Sequence, residues 1–461
     1  MNPWNRYAPE LVTDLYEFTM AESYFKEGMS GEGTFSLFIR AYPHQRAYFV
    51  AAGLEHLLEL LSTFSFGEES LRYLASTKKF TDDFLHYLSG LRFTGTVRAL
   101  PEGRIFFTQE PILEVTAPLV EGQLVETLIL NVIQLETLLA GKAARCVHAA
   151  RGRSLVDFSL RRTQGVDAGV KAARASYLVG FAGTSNVLAG KLYDIPVFGT
   201  MAHSYITSFK NEMESFLAFA RAYPENTVLL IDTYDTLRGA EKAVEVGRRM
   251  AARGQVLRGV RLDSGDLVDL SRKVRRILVD GGFPDVKILV SGSLDEYILE
   301  TLLDEGAEVD MFAVGTRMGV SSDAPYFDIA YKLVEYEGRP ILKLSSGKKT
   351  WVGKKQAYRF YGDDGRMHED VLCLEEEPSP GGEPLLETVL RGGVLQRSPE
   401  SLEMVRGRFR EEWENLPAIY RSNSPTDHYP VKISPALQEL ERKTSEERRR
   451  QEIDTPWDAV K

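Results

Sequence analysis

Apolar positions along the chain change period three times. Over residues 11–25 they recur at helical spacing, with Thr13 and Asp14 as candidate caps and Glu17 completing a box-like spacing, which predicts an amphipathic helix. Residues 34–39 read as a strand, and 53–61 and 80–91 as helices. From 93 to 120 the pattern shortens. The runs 94–97, 104–107 and 112–115, punctuated by Pro and Gly, predict antiparallel strands. Residues 123–144 then place Leu124, Leu128, Val132, Leu135 and Leu139 on nearly one face of a long helix.

A steady rhythm follows. Short apolar runs end in small or acidic residues, and several lead into helical patterns: 156–158 into 166–179, 179–182 into 183–186, 228–232 into 239–253, 259–263 into 267–279, and 288–292 into 294–303, with 311–316 closing the series. Ile195-Pro196-Val197-Phe198 reads as a further buried strand, followed by Gly199-Thr200-Met201-Ala202-His203-Ser204-Tyr205 and a helical run over 208–220. Alternating strands and helices mean parallel βα units. Six or seven in succession suggest a barrel, although a doubly wound sheet shares the pattern. Past residue 342 the rhythm breaks. Residues 345–349 and 375–383 are polar and turn-rich, the segment between them is expected to return to the N-terminal β region, and 438–451 reads as a charged surface helix.

Composition narrows the function classes. At 461 residues the chain is too long for one small core. A net charge of −10 argues against a general nucleic-acid binder, while leaving room for a local anion site. Cys146 and Cys373 are the only cysteines, too few for a disulfide framework or a four-cysteine zinc site, and they fit a reducing cytoplasm. Neither a signal peptide nor a membrane-spanning run is expected.

Barrels place their active sites at the C-terminal ends of the strands. Arg161, Ser185, His203, Asp232, Arg261, Asp263, Ser291 and Thr316 all fall at such ends. His203 sits among small and hydroxylated residues, where a histidine carries protons, binds metal, acts as a nucleophile or is simply held by a neighbour. Arginine forks grip carboxylate or phosphate. Gly292, Gly315 and Thr316 offer N–H groups and a hydroxyl after the late strands, where barrels often hold phosphate. Asp263 and Asp266 suit Mg2+ or ribose hydroxyls, with a helix N-cap before Leu267 as the competing role for Asp266 and an Asx turn before Tyr234 for Asp232. No G-x-G-x-x-G, P-loop or G-x-S-x-G pattern is present. The mixture suits a phosphorylated, anionic substrate.

Six motifs in order carry a resemblance: Thr13-Asp14-Leu15-Tyr16, Asp157-Phe158-Ser159-Leu160-Arg161-Arg162, Gly183-Thr184-Ser185-Asn186, Gly199-Thr200-Met201-Ala202-His203-Ser204, Gly259-Val260-Arg261-Leu262-Asp263-Ser264-Gly265-Asp266 and Gly315-Thr316. Together they resemble the nicotinate phosphoribosyltransferase family over about residues 11–344, and weakly beyond. The resemblance implies an irregular α/β barrel (145–344) and an α/β sandwich built from both chain ends (1–144 and 345–461). It implies a homodimer with shared active sites, and ATP-coupled synthesis of nicotinate mononucleotide and pyrophosphate from nicotinate and 5-phosphoribosyl 1-pyrophosphate, in NAD salvage. It assigns His203 as the histidine phosphorylated by ATP, Phe158 and the partner subunit's Tyr16 to the two faces of the pyridine ring, and Arg161 and Arg261 to the pyridine and ribose. Asp263 becomes a ribose- or Mg2+-linked acid, Thr200 lies beside nicotinate, Gly292, Gly315 and Thr316 form the 5′-phosphate cradle, and Ser291 is a further substrate-binding residue. Related nicotinamide enzymes carry aspartate at the position of Ser185. A serine hydroxyl donates to a carboxylate without like-charge repulsion, which favours the acid substrate. No cysteine cluster matches the zinc site of some relatives, so no structural zinc is expected. The rival readings are a nicotinamide- or quinolinate-type transferase and a non-catalytic phosphosugar or nucleotide sensor on the same fold.

Overall fold

The strand Glu32–Ile39 is buried from its second residue onward, on both faces, so it has to lie mid-sheet under cover. In the computed structural model, which describes residues 8–344 and 350–454, it does: Ile329–Tyr336 flanks it on one side and Pro111–Pro118 on the other. The expected turn at 345–349 lies outside the described residues.

The chain divides into two compact units, one of residues 1–138 and 326–461 and one of 139–325. The first holds a seven-stranded antiparallel sheet, ordered Arg339–Pro340, Ile329–Tyr336, Glu32–Ile39, Pro111–Pro118, Thr96–Ala99, Glu387–Arg391 and Val394–Leu395. Register pairs Phe35 with Val115 and Leu37 with Leu113, and the Phe35 ring stacks on Tyr331 at 4.9 Å. The return of the C-terminal chain to the N-terminal β region takes place at Glu387–Arg391, which pairs with Thr96–Ala99. The segment between the two polar stretches reaches that region as well, the Lys355 N–H donating to Glu114 at 2.9 Å, and its strands Lys355–Tyr361 and Met367–Leu374 form a four-stranded sheet with Glu383–Pro384 and Val431–Ile433. Helices Leu54–Ser62, Glu68–Ser76 and Asp82–Gly90 bury Leu57, Leu61, Leu74, Phe84 and Leu88 in the same core. Of these, Glu68–Ser76 is not among the helices expected from the sequence.

The first helix runs Leu15–Lys26, behind a 3-10 turn at Pro9–Leu11. Asp14 occupies its N-cap position without a capping bond, and Glu17 is buried, taking the hydroxyls of Thr13 and Thr127.

In the second unit six parallel strands lie in the order Gly183–Thr184, Ser154–Asp157, Met311–Val314, Lys287–Val290, Gly259–Leu262 and Val228–Leu230. No hydrogen-bonded pairing closes this ring among the described residues, so the α/β barrel is irregular. Helices Thr236–Ala251 and Leu267–Asp280 each lay an apolar stripe inward, capped by Asp235 and Asp266. Two expected strands are corrected. Residues 179–182 form a corner after the helix Val166–Leu178, with Val179 and Phe181 buried and Gly180 exposed at positive φ, and the strand is the following pair Gly183–Thr184. Residues 195–198 make only a bridge from Val197 to Thr184, and Val197 and Phe198 are exposed. Pro196 has no N–H to give a ladder. The helical run expected over 208–220 begins at Glu212, capped by Asn211.

A buried charge network ties the four-stranded sheet to the short strand Ile105–Phe106 and to the helix Leu402–Asn415. Arg359 is fully enclosed, bonding Asp370 at 2.7 Å, Glu412 at 2.6 Å and the Ile105 carbonyl at 2.9 Å. Beside it Glu110 accepts the Phe107 N–H at 2.7 Å. Burial, with the neighbouring Asp370 charge, pushes the Glu110 carboxyl well above its usual range. The folded protein thus keeps a proton that the unfolded chain loses near pH ~4.3. Its contribution to stability is full below that pH and is lost as pH rises through the folded value. Glu110→Gln copies the neutral form. Thermal melts at pH 8 should show the variant raised by about 2–4 °C, the shift that about 1 kcal/mol makes in a domain of this size, with the gain vanishing near pH 4. An equal loss at both pH values would show that the neutral carboxyl is not the folded form.

Candidate active site

Parallel strands deliver their C-terminal ends to one rim. In the second unit that rim carries Asp157 and Phe158, Thr184 and Ser185, Asp232 and Thr233, Asp263, Ser291 and Gly292, and Gly315 and Thr316.

Arg261, the third residue of Gly259–Leu262, connects most of them. Its Nε donates to Ser291 Oγ at 2.9 Å. Nη1 donates to Thr200 Oγ1 and to the Met201 carbonyl, each at 3.2 Å, and Nη2 to Asp263 Oδ1 at 3.0 Å. The guanidinium carbon lies 5.6 Å from the centroid of the Phe158 ring. Ser291 also donates its hydroxyl to Asp263 Oδ1. Burial opposes the Asp263 charge, but Ser291, Arg261 and the nearby His203 together hold its carboxyl below the usual range.

His203 is half-buried, the first residue of the short helix His203–Thr207 rather than part of an open loop. Its Nδ1 meets Thr233 Oγ1 at 3.1 Å, and Nε2 has no hydrogen-bond partner among the described residues. A Cβ at Gly199 would meet nothing within 4 Å, so the approach to this loop is open. Asp232 makes no Asx turn. Its Oδ2 accepts the Asp263 N–H at 2.9 Å and the Ser264 hydroxyl at 2.7 Å, while its buried Oδ1 has no partner among the described residues. Asp266 is the N-cap of Leu267–Asp280, accepting from the N–H groups of Val268 and Asp269.

Phe158 donates its N–H to the Val314 carbonyl at 2.8 Å, and Ser185 its N–H to the Asp157 carbonyl at 2.8 Å. Arg161, in the 3-10 turn Leu160–Arg162, is exposed and makes no ion pair among the described residues. Gly292 sits at φ +99°, where an added Cβ would come within 2.2 Å of the Asp263 carbonyl. At Gly315 the Cβ would stand 2.9 Å from the Phe158 carbonyl. Thr316 opens the turn Thr316–Gly319, and Arg317 pairs with Asp295 at 2.6 Å. The structure thus brings together His203, Arg261, Asp263, Phe158, Thr200, Ser291 and Gly292 through direct or one-residue links, with Ser185, Gly315 and Thr316 on the same rim. Tyr16 belongs to the first unit, half-exposed on the opening turn of Leu15–Lys26. Thr233 and Asp295 were not singled out from sequence, since their partners lie 30 and 22 residues away.

Among the described residues no three His, Cys, Asp or Glu side chains cluster around a metal position. Mg2+ asks for less, one or two carboxylates completed by substrate phosphates. The unpartnered Asp232 Oδ1 and the carboxylate of Asp263, whose backbone N–H bonds Asp232, are two donors of that kind, so these residues fit Mg2+ held jointly with a phosphorylated ligand.

Residues 11–134 match the family model for the nicotinate phosphoribosyltransferase (NAPRTase) N-terminal domain, and 153–363 that of the nicotinate phosphoribosyltransferase (NAPRTase) family. The chain is 47% identical over 427 residues to nicotinate phosphoribosyltransferase pncB2 of Mycobacterium tuberculosis, covering 92% of this chain and 91% of that protein. It is 40% identical over 376 residues to nicotinate phosphoribosyltransferase of Bacillus subtilis, covering 80% and 76%. The crystal structure of human nicotinic acid phosphoribosyltransferase superposes with a TM-score of 0.85 at 32% identity, over 94% of this chain and 100% of that one.

The contact between the 263 and 292 backbones sets a stability test. Gly292→Ala should cost about 1–3 kcal/mol in denaturant unfolding, because it adds both strain and a clash. Gly199→Ala, with open space around it, should stay within about 0.5 kcal/mol of the parent. Equal costs would contradict the close approach.

Proposed function

The chain belongs to the nicotinate phosphoribosyltransferase family, and we propose that it makes nicotinate mononucleotide and pyrophosphate from nicotinate and 5-phosphoribosyl 1-pyrophosphate, with ATP hydrolysis coupled through His203. The carrying observation is the Arg261 fork, which gathers the Phe158 ring, Thr200, Ser291 and Asp263 at the rim that also bears His203.

The reaction breaks the bond from ribose C1 to pyrophosphate and forms one to the pyridine nitrogen, through an oxocarbenium-like state. That nitrogen is already a nucleophile, so the protein needs to align it and neutralise the leaving group rather than remove a proton. Phe158 offers an aromatic face for the pyridine. The exposed Arg161 and the Ser185 hydroxyl suit its carboxylate. Asp263, kept ionised by Arg261 and Ser291, is placed for the ribose hydroxyls. Gly292, Gly315 and Thr316 leave room and N–H groups for the 5′-phosphate. Asp232 and Asp263 would hold Mg2+, which when bound supplies positive charge to the departing pyrophosphate. With Thr233 engaging Nδ1, Nε2 is the ring nitrogen left to accept a phosphoryl group from ATP.

Tyr16, reaching the pyridine from a second copy, belongs to a homodimer reading. It is supported by the apolar side chains of Leu15, Tyr16, Val187, Leu188 and Phe198 standing exposed within their respective units. Among the described residues no helix is long and apolar enough to cross a membrane. Cys146 and Cys373 are both buried and unpaired, which suits a cytoplasmic enzyme in NAD salvage.

Product analysis with nicotinate, nicotinamide and quinolinate in parallel, with and without ATP, tests the reading. Nicotinate mononucleotide should form fastest, and faster with ATP. ATP labelled at the γ-phosphate should mark the protein, and His203→Ala should abolish the label; an unlabelled parent protein would remove the covalent relay. Ser185→Asp should lower nicotinate kcat/KM by about tenfold or more relative to nicotinamide, the cost of about 1.4 kcal/mol of like-charge repulsion. An unchanged ratio would take specificity away from that position.

A further inference from the structure

Asp157 ends the strand Ser154–Asp157 and has no exposed surface. No cation pairs with it among the described residues. Burying a carboxylate with only neutral partners is costly, so its retention calls for a reason. Its contacts supply one. Oδ1 accepts the Ser159 N–H at 2.8 Å, which closes the backbone around Phe158. Oδ2 accepts the Thr184 hydroxyl at 2.7 Å, and the Asp157 carbonyl accepts the Ser185 N–H at 2.8 Å. Thr184 Oγ1 in turn accepts the Asn186 N–H at 3.0 Å. The Thr184 main chain bonds the Pro196 carbonyl at 3.0 Å and the Phe198 N–H at 2.9 Å, on the segment that leads to Thr200.

We propose that Asp157 is a positioning residue for the pyridine pocket: one buried carboxylate, clamped by the Thr184 hydroxyl, sets the spacing between the Phe158 ring and Ser185. A carboxylate is required because both oxygens must accept, one from each loop. Asparagine would turn an NH2 group toward one of the two donors. Thr184 is the second half of the clamp, since its single proton goes to Asp157 and its lone pair orders the next turn. The inference rests on the reading of Phe158 and Ser185 as the nicotinate site.

The test compares Asp157→Asn, Thr184→Val and Thr184→Ser with Phe158→Ala and Ser185→Ala, by steady-state kinetics for both substrates and by thermal melts. Thr184→Val keeps the side-chain shape and removes only the hydroxyl, so it covers the case in which the Asp157 variant fails to fold. Asp157→Asn and Thr184→Val should each raise the nicotinate KM by about tenfold, the effect of losing a hydrogen bond to a charged group, with the KM for phosphoribosyl pyrophosphate little changed. Thr184→Ser should restore the parent value. The Phe158→Ala effect should shrink in the Thr184→Val background, the mark of coupled sites. A nicotinate KM that stays at the parent value in Thr184→Val while Phe158→Ala raises it would overturn the positioning role. So would a parallel rise for both substrates accompanied by a lowered melting temperature, which marks a purely structural contact. If Phe158→Ala and Ser185→Ala both leave the nicotinate KM unchanged, the pocket assignment itself falls, and the proposal with it.

Discussion

The Arg261 guanidinium is the constraint on which the rim depends. A planar group with five donors in a fixed fork cannot satisfy partners placed at random. Here it meets Ser291, Thr200, the Met201 carbonyl and Asp263 while lying against the Phe158 ring. Its partners come from the ends of different strands and from the loop before His203, so their relative positions are set by one rigid plane. A lysine would supply the charge without the plane, and the loops would lose their common reference. Asp263 passes the constraint on through its N–H to Asp232, whose neighbour Thr233 holds His203.

The parts of this design that were legible in sequence are those set by local pattern. Short apolar runs followed by amphipathic helices announced the parallel units, and Asp266 read correctly as a cap because capping depends on residues two and three positions ahead. The misreadings share one cause. Residues 179–182 and 195–198 are apolar enough for strands, but a strand needs a partner offering a ladder, and a glycine corner in one case and Pro196 in the other deny it. The Asp232 role was hidden for the related reason that its hydrogen bonds go 31 and 32 residues down the chain. Asp157 stood in a quoted motif, yet its clamp on Thr184 spans 27 residues and exists only once the strands are neighbours.

Charge bookkeeping over the whole chain also hides the site. The protein carries −10 overall, and each substrate of the proposed reaction is an anion. Arg261 adds little net attraction, because Asp263 faces it at 3.0 Å. Its work is geometric. In the proposed reading the exposed Arg161 would draw the carboxylate, and backbone N–H groups beside Gly292 and Gly315 would carry anion recognition without formal charge. A site built in this way is invisible to composition and depends on loop geometry.

That geometry joins two halves of the proposed chemistry which need not have touched. His203 stands close enough to Asp263 to be one of the groups that favour its ionised carboxyl, after Ser291 and Arg261. Asp263 is also the anion against which Arg261 is set, and Arg261 lies over Phe158. A ligand changes the other half of a site only through a difference in interaction energy between its two states. A phosphoryl group on His203 would place negative charge against a carboxylate whose ionisation fixes the arginine at the pyridine face. In the proposed reaction the ATP half and the nicotinate half would therefore share one electrostatic element, and a change at either end would alter the energy of the other.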